Sequence, residues 1–326
     1  MSGKELPEAP EKPLPSDCCE SGCTPCILDV YEDLLKEWKE KCKLIESGSS
    51  EFEEGNASQT PVMFQTKYST FTVASLTTLT SDTILYRFQA VEMVPGAEDG
   101  IDYRNLKGNL DFKPSQYFIL QGTETAVGNS TQSFSRAYTP IPMGSIPLGC
   151  FDVIIKLYRD GKMSKYLQNL KVGDVTLWRG PYGGFNYKPN SYKRILMICA
   201  GTGIAPLYSL SYSIVNDQDD ETIIKLLFCC RDEESIILRR EIHSLRSFWN
   251  FSADIYVPHS NELNCKPLYG ETLKTARLGQ HTVASELNAR NIFNTMVLIC
   301  GSSQFCKDIE LYVRQCNVDS EHIHIF

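Results

Sequence analysis

Apolar positions change their spacing three times along this chain, and each change predicts a different kind of structure. From Ile27, the segment ILDVYEDLLKEWKEKCKLI sets Ile27, Val30, Tyr31, Leu34, Leu35 and Trp38 three and four residues apart, with charges between them. That spacing is the apolar stripe of one amphipathic helix. Residues 68–185 instead carry short runs, TFTVASLTTL, TILYRFQAV, QYFILQG, FDVIIKLY and DVTLWRG, separated by Gly, Pro, Asn and Asp. Such runs between turn formers predict antiparallel strands in a barrel or a sandwich, interrupted by one short helix over Ser164–Leu170. From Tyr192 the runs KRILMICA, TIIKLLFC, ADIYVP and TMVLIC are continuously apolar, and most are followed by helical segments. Strands buried on both faces, joined by crossover helices, have this texture. The predicted fold class is therefore α+β with two domains, an antiparallel β domain over 62–187 and a parallel-sheet α/β domain of Rossmann-like type over 190–326.

The remaining segments offer little to bury. Residues 1–16 are rich in Pro and Glu and are expected to be disordered. Residues 17–45 hold a cysteine cluster and the amphipathic helix, and residues 46–61, small, polar and acidic, are expected to be a linker. No apolar run approaches the roughly 20 residues that span a bilayer, and the polar, proline-rich start does not resemble a signal peptide. An intracellular address, cytoplasmic or mitochondrial, is expected, with the 13 cysteines as reduced thiols, metal ligands or core residues. The net charge of -8 argues against nucleic acid as a partner, because phosphate binding needs concentrated positive charge.

Chemistry concentrates in five short pieces. Ile198-Cys199-Ala200-Gly201-Thr202-Gly203-Ile204-Ala205-Pro206 closes an apolar strand and opens a helix. It is either a pyrophosphate cradle, since glycines let backbone N–H groups approach the anion at a helix start, or a tight turn without a ligand. Arg136-Ala137-Tyr138-Thr139-Pro140, Gly161-Lys162-Met163-Ser164, Gly180-Pro181-Tyr182-Gly183 and Cys300-Gly301 complete the set. Strand alternation puts Arg136 and Tyr138 on one face. Ser164 is either a phosphate ligand or a plain helix cap. Lys156 is either a groove residue or a solvated lysine, and Cys300 either lies beside a ligand or is a small buried hydrophobe.

Taken in this order, across a β domain and then an α/β domain, the five pieces resemble the ferredoxin-NADP reductase superfamily, and most closely its NADH-cytochrome b5 reductase family, over residues 68–326. The resemblance implies a β-barrel that binds FAD, an α/β domain that binds NADH, and hydride transfer between them, with electrons leaving singly to a haem protein such as cytochrome b5. It implies flavin contacts from Arg136, Ala137, Tyr138 and Thr139 and from Gly161, Lys162, Met163 and Ser164, and a flavin and nucleotide groove lined by Ile154, Lys156, Tyr158 and Arg159. It implies nucleotide contacts from Gly201, Thr202, Gly203, Pro206 and Gly301, with Phe326 ending near the flavin. Thr139 and Cys300 are placed nearest the reacting rings. Lys162, Lys165, Lys188, Lys193 and Arg194 are expected to gather near the flavin edge as a docking surface. Where the family follows its Cys-Gly pair with prolines, this chain has Ser302-Ser303-Gln304-Phe305, which predicts a looser loop.

NADH is expected over NADPH, because Arg231 is followed at once by Asp232, Glu233 and Glu234, and the run after ADIYVP has no arginine. A ferric-chelate or quinone reductase, and a scaffold that keeps the fold without turnover, remain alternatives. Cys18, Cys19, Cys23 and Cys26 resemble the short oxidoreductase-like N-terminal module, a possible partner-binding surface. They hold either zinc or an iron–sulfur centre, or are an exposed redox-sensitive or docking segment. No metal site is assigned.

Overall fold

The structure, a computed structural model, describes residues 9–13, 27–46, 61–95, 101–125, 131–260, 266–288 and 294–326. Its first sheet is antiparallel: β1 (Ser69–Thr80), β2 (Thr83–Pro95), β3 (Ile101–Asn105), β4 (Tyr117–Thr125), β5 (Thr131–Tyr138), β6 (Pro140–Ile141), β7 (Cys150–Lys156) and β8 (Val175–Tyr182). They pair in the order β5-β4-β8-β1-β2-β7-β6, with β3 added to β2. The two ends of that path, β5 and β6, are separated in the chain by Thr139 alone, so the sheet closes on itself there. Pro140, which has no N–H to offer a ladder, takes the first position of β6, where a strand tolerates it. Inside, Phe71, Phe88, Phe118, Phe151 and Trp178 are almost wholly buried. Trp178 packs 4.8 Å from Phe88 and 5.0 Å from Phe151. The short helix α2 (Lys162–Asn169) sends Met163 and Leu167 into that core.

The second sheet is parallel throughout, ordered β12-β11-β10-β9-β13-β14. Its strands are β9 (Arg194–Ala200), β10 (Ile223–Cys229), β11 (Phe251–Tyr256), β12 (Thr272–Lys274), β13 (Thr295–Cys300) and β14 (Ile323–Ile325). The helices are α3 (Ile204–Asn216), α4 (Arg239–Leu245), α5 (Gln280–Asn288) and α6 (Ser303–Arg314). One apolar cluster covers each face, which explains the unbroken apolar runs. The chain steps outward from β9 through β10, β11 and β12, then crosses back to β13 on the other side of β9. That reversal leaves a crevice outside the carboxyl ends of β9 and β13, where open α/β sheets bind ligands.

The two domains share apolar contact. Alternation along β7 sends Phe151, Val153 and Ile155 into the barrel core and Ile154 the other way. Ile154, with Ile141 of β6, is buried in the same cluster as Ile195, Ile204 and Tyr208 of the α/β domain. Lys156 therefore shares its face with Ile154, toward the α/β domain. That face is the one opposite the barrel core. β7 is covered on both sides, and it ends at Lys156.

The amphipathic helix is α1 (Ile27–Glu46). Val30 and Leu34 of its apolar stripe pack on Tyr117, Ile119 and Tyr182, on the outer side of the barrel. Within the expected tail, Pro10 and Pro13 are buried and the Glu11 N–H donates to the Thr66 carbonyl at 2.9 Å. Cys18, Cys19, Cys23 and Cys26, and residues 47–60 of the expected linker, lie outside the described residues.

Candidate active site

The barrel presents its polar groups at the seam. On β5, Arg136 is half-buried and its Nη1 donates to the Ser135 carbonyl at 2.7 Å. Ala137 is exposed, and the half-buried Tyr138 ring lies 6.0 Å from Trp178, edge-on. Burial pushes the Tyr138 phenol above its usual range, with Arg136 opposing. Thr139, half-buried, is the closing residue between β5 and β6.

Helix α2 begins without a side-chain cap, because its N-cap is Gly161. Ser164 is not the cap. It sits inside the first turn, buried, and its Oγ accepts the Tyr158 N–H at 2.8 Å, tying the loop that follows β7 to the helix. The first amides of α2 are thus left for an anion. Lys162 is exposed and pairs with Glu124 at 3.3 Å. Tyr158 and Arg159 are exposed, beyond the strand end. The side chains of Ile154 and Met163 are buried in the interdomain and barrel cores.

A cleft of about 290 Å³ opens where the domains meet. Asp82, Thr83 and Lys156 wall it on the barrel side; Gly201, Thr202, Cys229, Cys230 and Arg231 are among the residues on the α/β side. Gly201 has φ +54, which favours glycine, and a Cβ there would meet nothing within 4 Å. Gly203 is needed for a different reason. A Cβ there would lie 2.4 Å from the carbonyl oxygen of Cys300, so the β9–α3 turn rests directly on the end of β13. Pro206 is buried in the first turn of α3, where a missing N–H costs nothing.

Cys300 ends β13 opposite Cys199. Burial pushes its thiol up to about 12, and nearby Cys306 adds to the effect, so it is neutral at physiological pH. Gly301 is held by Phe305, whose ring carbon would lie 2.6 Å from an added Cβ. The loose loop expected after Cys300-Gly301 is not present. Ser302 caps α6, its Oγ accepting the Phe305 N–H at 3.3 Å, and helix begins at Ser303. Serine fulfils a capping role that proline cannot. The Phe326 N–H donates to the Ile299 carbonyl at 3.0 Å, and its ring lies 4.6 Å from His324.

The expected basic docking set does not gather. Arg194 begins β9, at the far end of that strand from Gly201, and is buried with its Nη2 2.7 Å from Glu286. Lys188 and Lys193 precede it at that same end, while Lys162 and Lys165 are exposed on α2. Asp82, Thr83, Cys229 and Cys230 were not singled out from the sequence. Cys229 ends an apolar strand, Cys230 follows it, and both read locally as core; Asp82 and Thr83 lie where an ordinary hairpin turn enters β2.

Three family descriptions match the chain: an oxidoreductase FAD-binding domain over residues 100–187, an oxidoreductase NAD-binding domain over 197–310, and an oxidoreductase-like protein N-terminal region over 1–47. The chain is 33% identical to the NADH-cytochrome b5 reductase-like protein of Mus musculus, with 97% of this chain and 95% of that protein aligned. It belongs to the NADH-cytochrome b5 reductase-like family. The human protein of the same description is also 33% identical, over 92% of this chain and 89% of its own. The fold matches the cytochrome b5 reductase domain of Ulva prolifera nitrate reductase with a TM-score of 0.66 at 22% identity, covering 82% of this chain and all of that domain.

As a member of the reductase family, the chain is a flavoprotein NAD(P)H-dependent oxidoreductase with FAD- and NAD-binding domains. Its residues fit those groups. The uncapped start of α2 suits a phosphate, and the Gly201–Gly203 turn offers backbone unobstructed by side chains. Among the described residues, no helix is long and apolar enough to cross a membrane.

Proposed function

We propose that this reductase uses NADH to reduce bound FAD and passes electrons singly to a haem acceptor of the cytochrome b5 type. The observation that carries the reading is the cleft itself, shared by Lys156 of the barrel and the Gly201–Thr202 turn of the α/β domain. Bound flavin supplies a centre that accepts two electrons together and releases them one at a time. The chain's residues bind and orient. Arg136 and the amides opening α2 serve the flavin's phosphates, and Tyr138 and Thr139 lie along its ring. Gly201, Thr202 and Gly203 cradle the nucleotide's pyrophosphate, with Cys300 and Gly301 bordering the nicotinamide. The neutral Cys300 thiol adds no charge where a hydride moves.

NADH is favoured over NADPH because both cations lining the cleft, Lys156 and Arg231, already have carboxylate partners. Cytochrome b5 is proposed as acceptor because the relatives that align over nearly the whole chain carry it in their names. The purified protein should be yellow, its flavin absorption should bleach anaerobically on adding NADH, and the reduced protein should then reduce cytochrome b5. A higher kcat/KM with NADPH would overturn the nucleotide choice. Turnover with ferric chelates or quinones but not with cytochrome b5 would overturn the acceptor. A colourless protein that cannot be reconstituted with FAD would make it a scaffold.

A further inference from the structure

The cleft wall is built from matched charges. Arg231 Nε lies 2.7 Å from Asp232 Oδ2, a pair within the α/β domain. Lys156 Nζ lies 3.1 Å from Asp82 Oδ2, and this pair belongs wholly to the barrel. Asp82 is the one acidic side chain among the residues lining the cleft, and it is held there. Its Oδ1 accepts the Thr83 hydroxyl at 2.9 Å and the Thr80 hydroxyl at 3.1 Å. Its carbonyl accepts the Leu157 N–H at 2.7 Å, which ties the β1–β2 turn to the end of β7. Two hydroxyls and an ammonium thus hold the carboxylate in the cleft wall.

We propose that Asp82 is a nucleotide-specificity residue. From the flavin domain, it places a fixed negative charge in the nucleotide cleft, neutralises Lys156, and so disfavours a dinucleotide bearing a 2′-phosphate. The inference rests on the NADH-linked reading and names a determinant for it. Coulomb energy scales with the charge of the ligand, and a phosphate monoester adds about −2 at neutral pH. The same carboxylate therefore costs NADP more than NAD. The cleft is small enough for this to matter, because charges within about one Debye length, roughly 8 Å at physiological ionic strength, are incompletely screened. Removing the charge leaves the Lys156 ammonium free to meet the ligand, and the more highly charged ligand gains more.

The test is Asp82→Asn in the full-length, FAD-loaded protein. Binding of NAD+ and NADP+ is measured by titration calorimetry, and kcat/KM is measured with NADH and NADPH. The ratio of NADP+ to NAD+ affinity should rise about tenfold, with the kinetic change carried by the KM for NADPH and the flavin spectrum unchanged. Asp82→Glu, which restores the charge, should return the ratio toward that of the parent. Asp102→Asn changes net charge equally, on exposed β3 beside the far end of β2, and should leave the ratio alone. A ratio within twofold of the parent in Asp82→Asn, or an equal loss for both nucleotides, overturns the proposal. Should Asp82→Asn not fold, Lys156→Gln gives the converse: the ratio should fall, and an unchanged or raised ratio overturns the proposal. A parent protein that prefers NADPH defeats the NADH reading, whereas these changes relative to the parent judge Asp82.

Discussion

Cys300 and its neighbours show how burial decides what a side chain can do. A thiol at the end of a parallel strand beside a ligand cleft invites a nucleophilic role, but burial pushes Cys229 and Cys300 up to about 12 and raises Cys199 and Cys230 as well. Nucleophilic reactivity belongs to the thiolate, so these groups act as small neutral side chains. The same shifts set a stability profile. An unfolded thiol ionises near 9.0 whereas folded Cys229 and Cys300 hold their protons to about 12, so the unfolded state loses protons first. The stabilisation is complete below pH 9 and is lost as pH rises from 9 to 12. By pH 10 the loss amounts to about 1.4 kcal/mol for each thiol. Melting temperature should therefore fall between pH 8.5 and 10, and the fall should be shallower in Cys300→Ala. A melting temperature flat across that interval would contradict the shift.

At the scale of elements, the turn from β9 into α3 depends on its contact with β13. Gly201 and Gly203 look alike in the motif and do different work. Gly201 supplies a positive φ in open space, whereas Gly203 lets two backbones touch. Gly203→Ala would drive a Cβ into a carbonyl group that cannot turn aside as a side chain can. The expected cost is about 1–3 kcal/mol, read as a lower urea midpoint, with NADH affinity weakened at least tenfold and flavin content retained. Gly201→Ala should destabilise by about 1–2 kcal/mol through strain alone. Equal nucleotide affinity in Gly203→Ala and the parent would show that the turn is not part of the cradle. The same border carries the Ser302 cap, so the residues after Cys300-Gly301 are a helix start despite lacking proline.

Considered as a whole molecule, the protein has two sheets whose apolar clusters meet at β6 and β7. Ile141 and Ile154 are barrel residues buried in the α/β cluster, which couples the stability of the domains. The parent should unfold in one calorimetric transition. Ile141→Ala, which removes contact at the junction, should cost about 2–5 kcal/mol and split the transition in two. Two transitions in the parent would show that the domains are uncoupled. This junction also places Lys156 and Asp82 against the Gly201 turn, so the cleft exists only where the domains are docked.

Local order was legible from residue spacing alone. The apolar stripe from Val30 to Trp38, the alternation around Arg136 and Tyr138, the buried runs of β9, β10 and β13, and the glycine turn after Ala200 are all properties of neighbouring residues, whose periods of 3.6 and 2 follow from backbone geometry. The flavin and nucleotide reading came instead from the resemblance of the motif order to a known reductase family. What only the tertiary structure decided are pairings between distant residues. They include the closure of the barrel at Thr139, α1 resting on Ile119 and Tyr182, Arg194 buried against Glu286, and Ile154 turned toward the other domain. Asp82 belongs with these. In the chain it is a turn residue before Thr83, and nothing beside it distinguishes it from any hairpin aspartate. It becomes a cleft residue only because folding brings Lys156 of β7 to its carboxylate and sets the α/β domain opposite. Spacing along a chain records local conformation, whereas charge in a cleft depends on which remote segments share it.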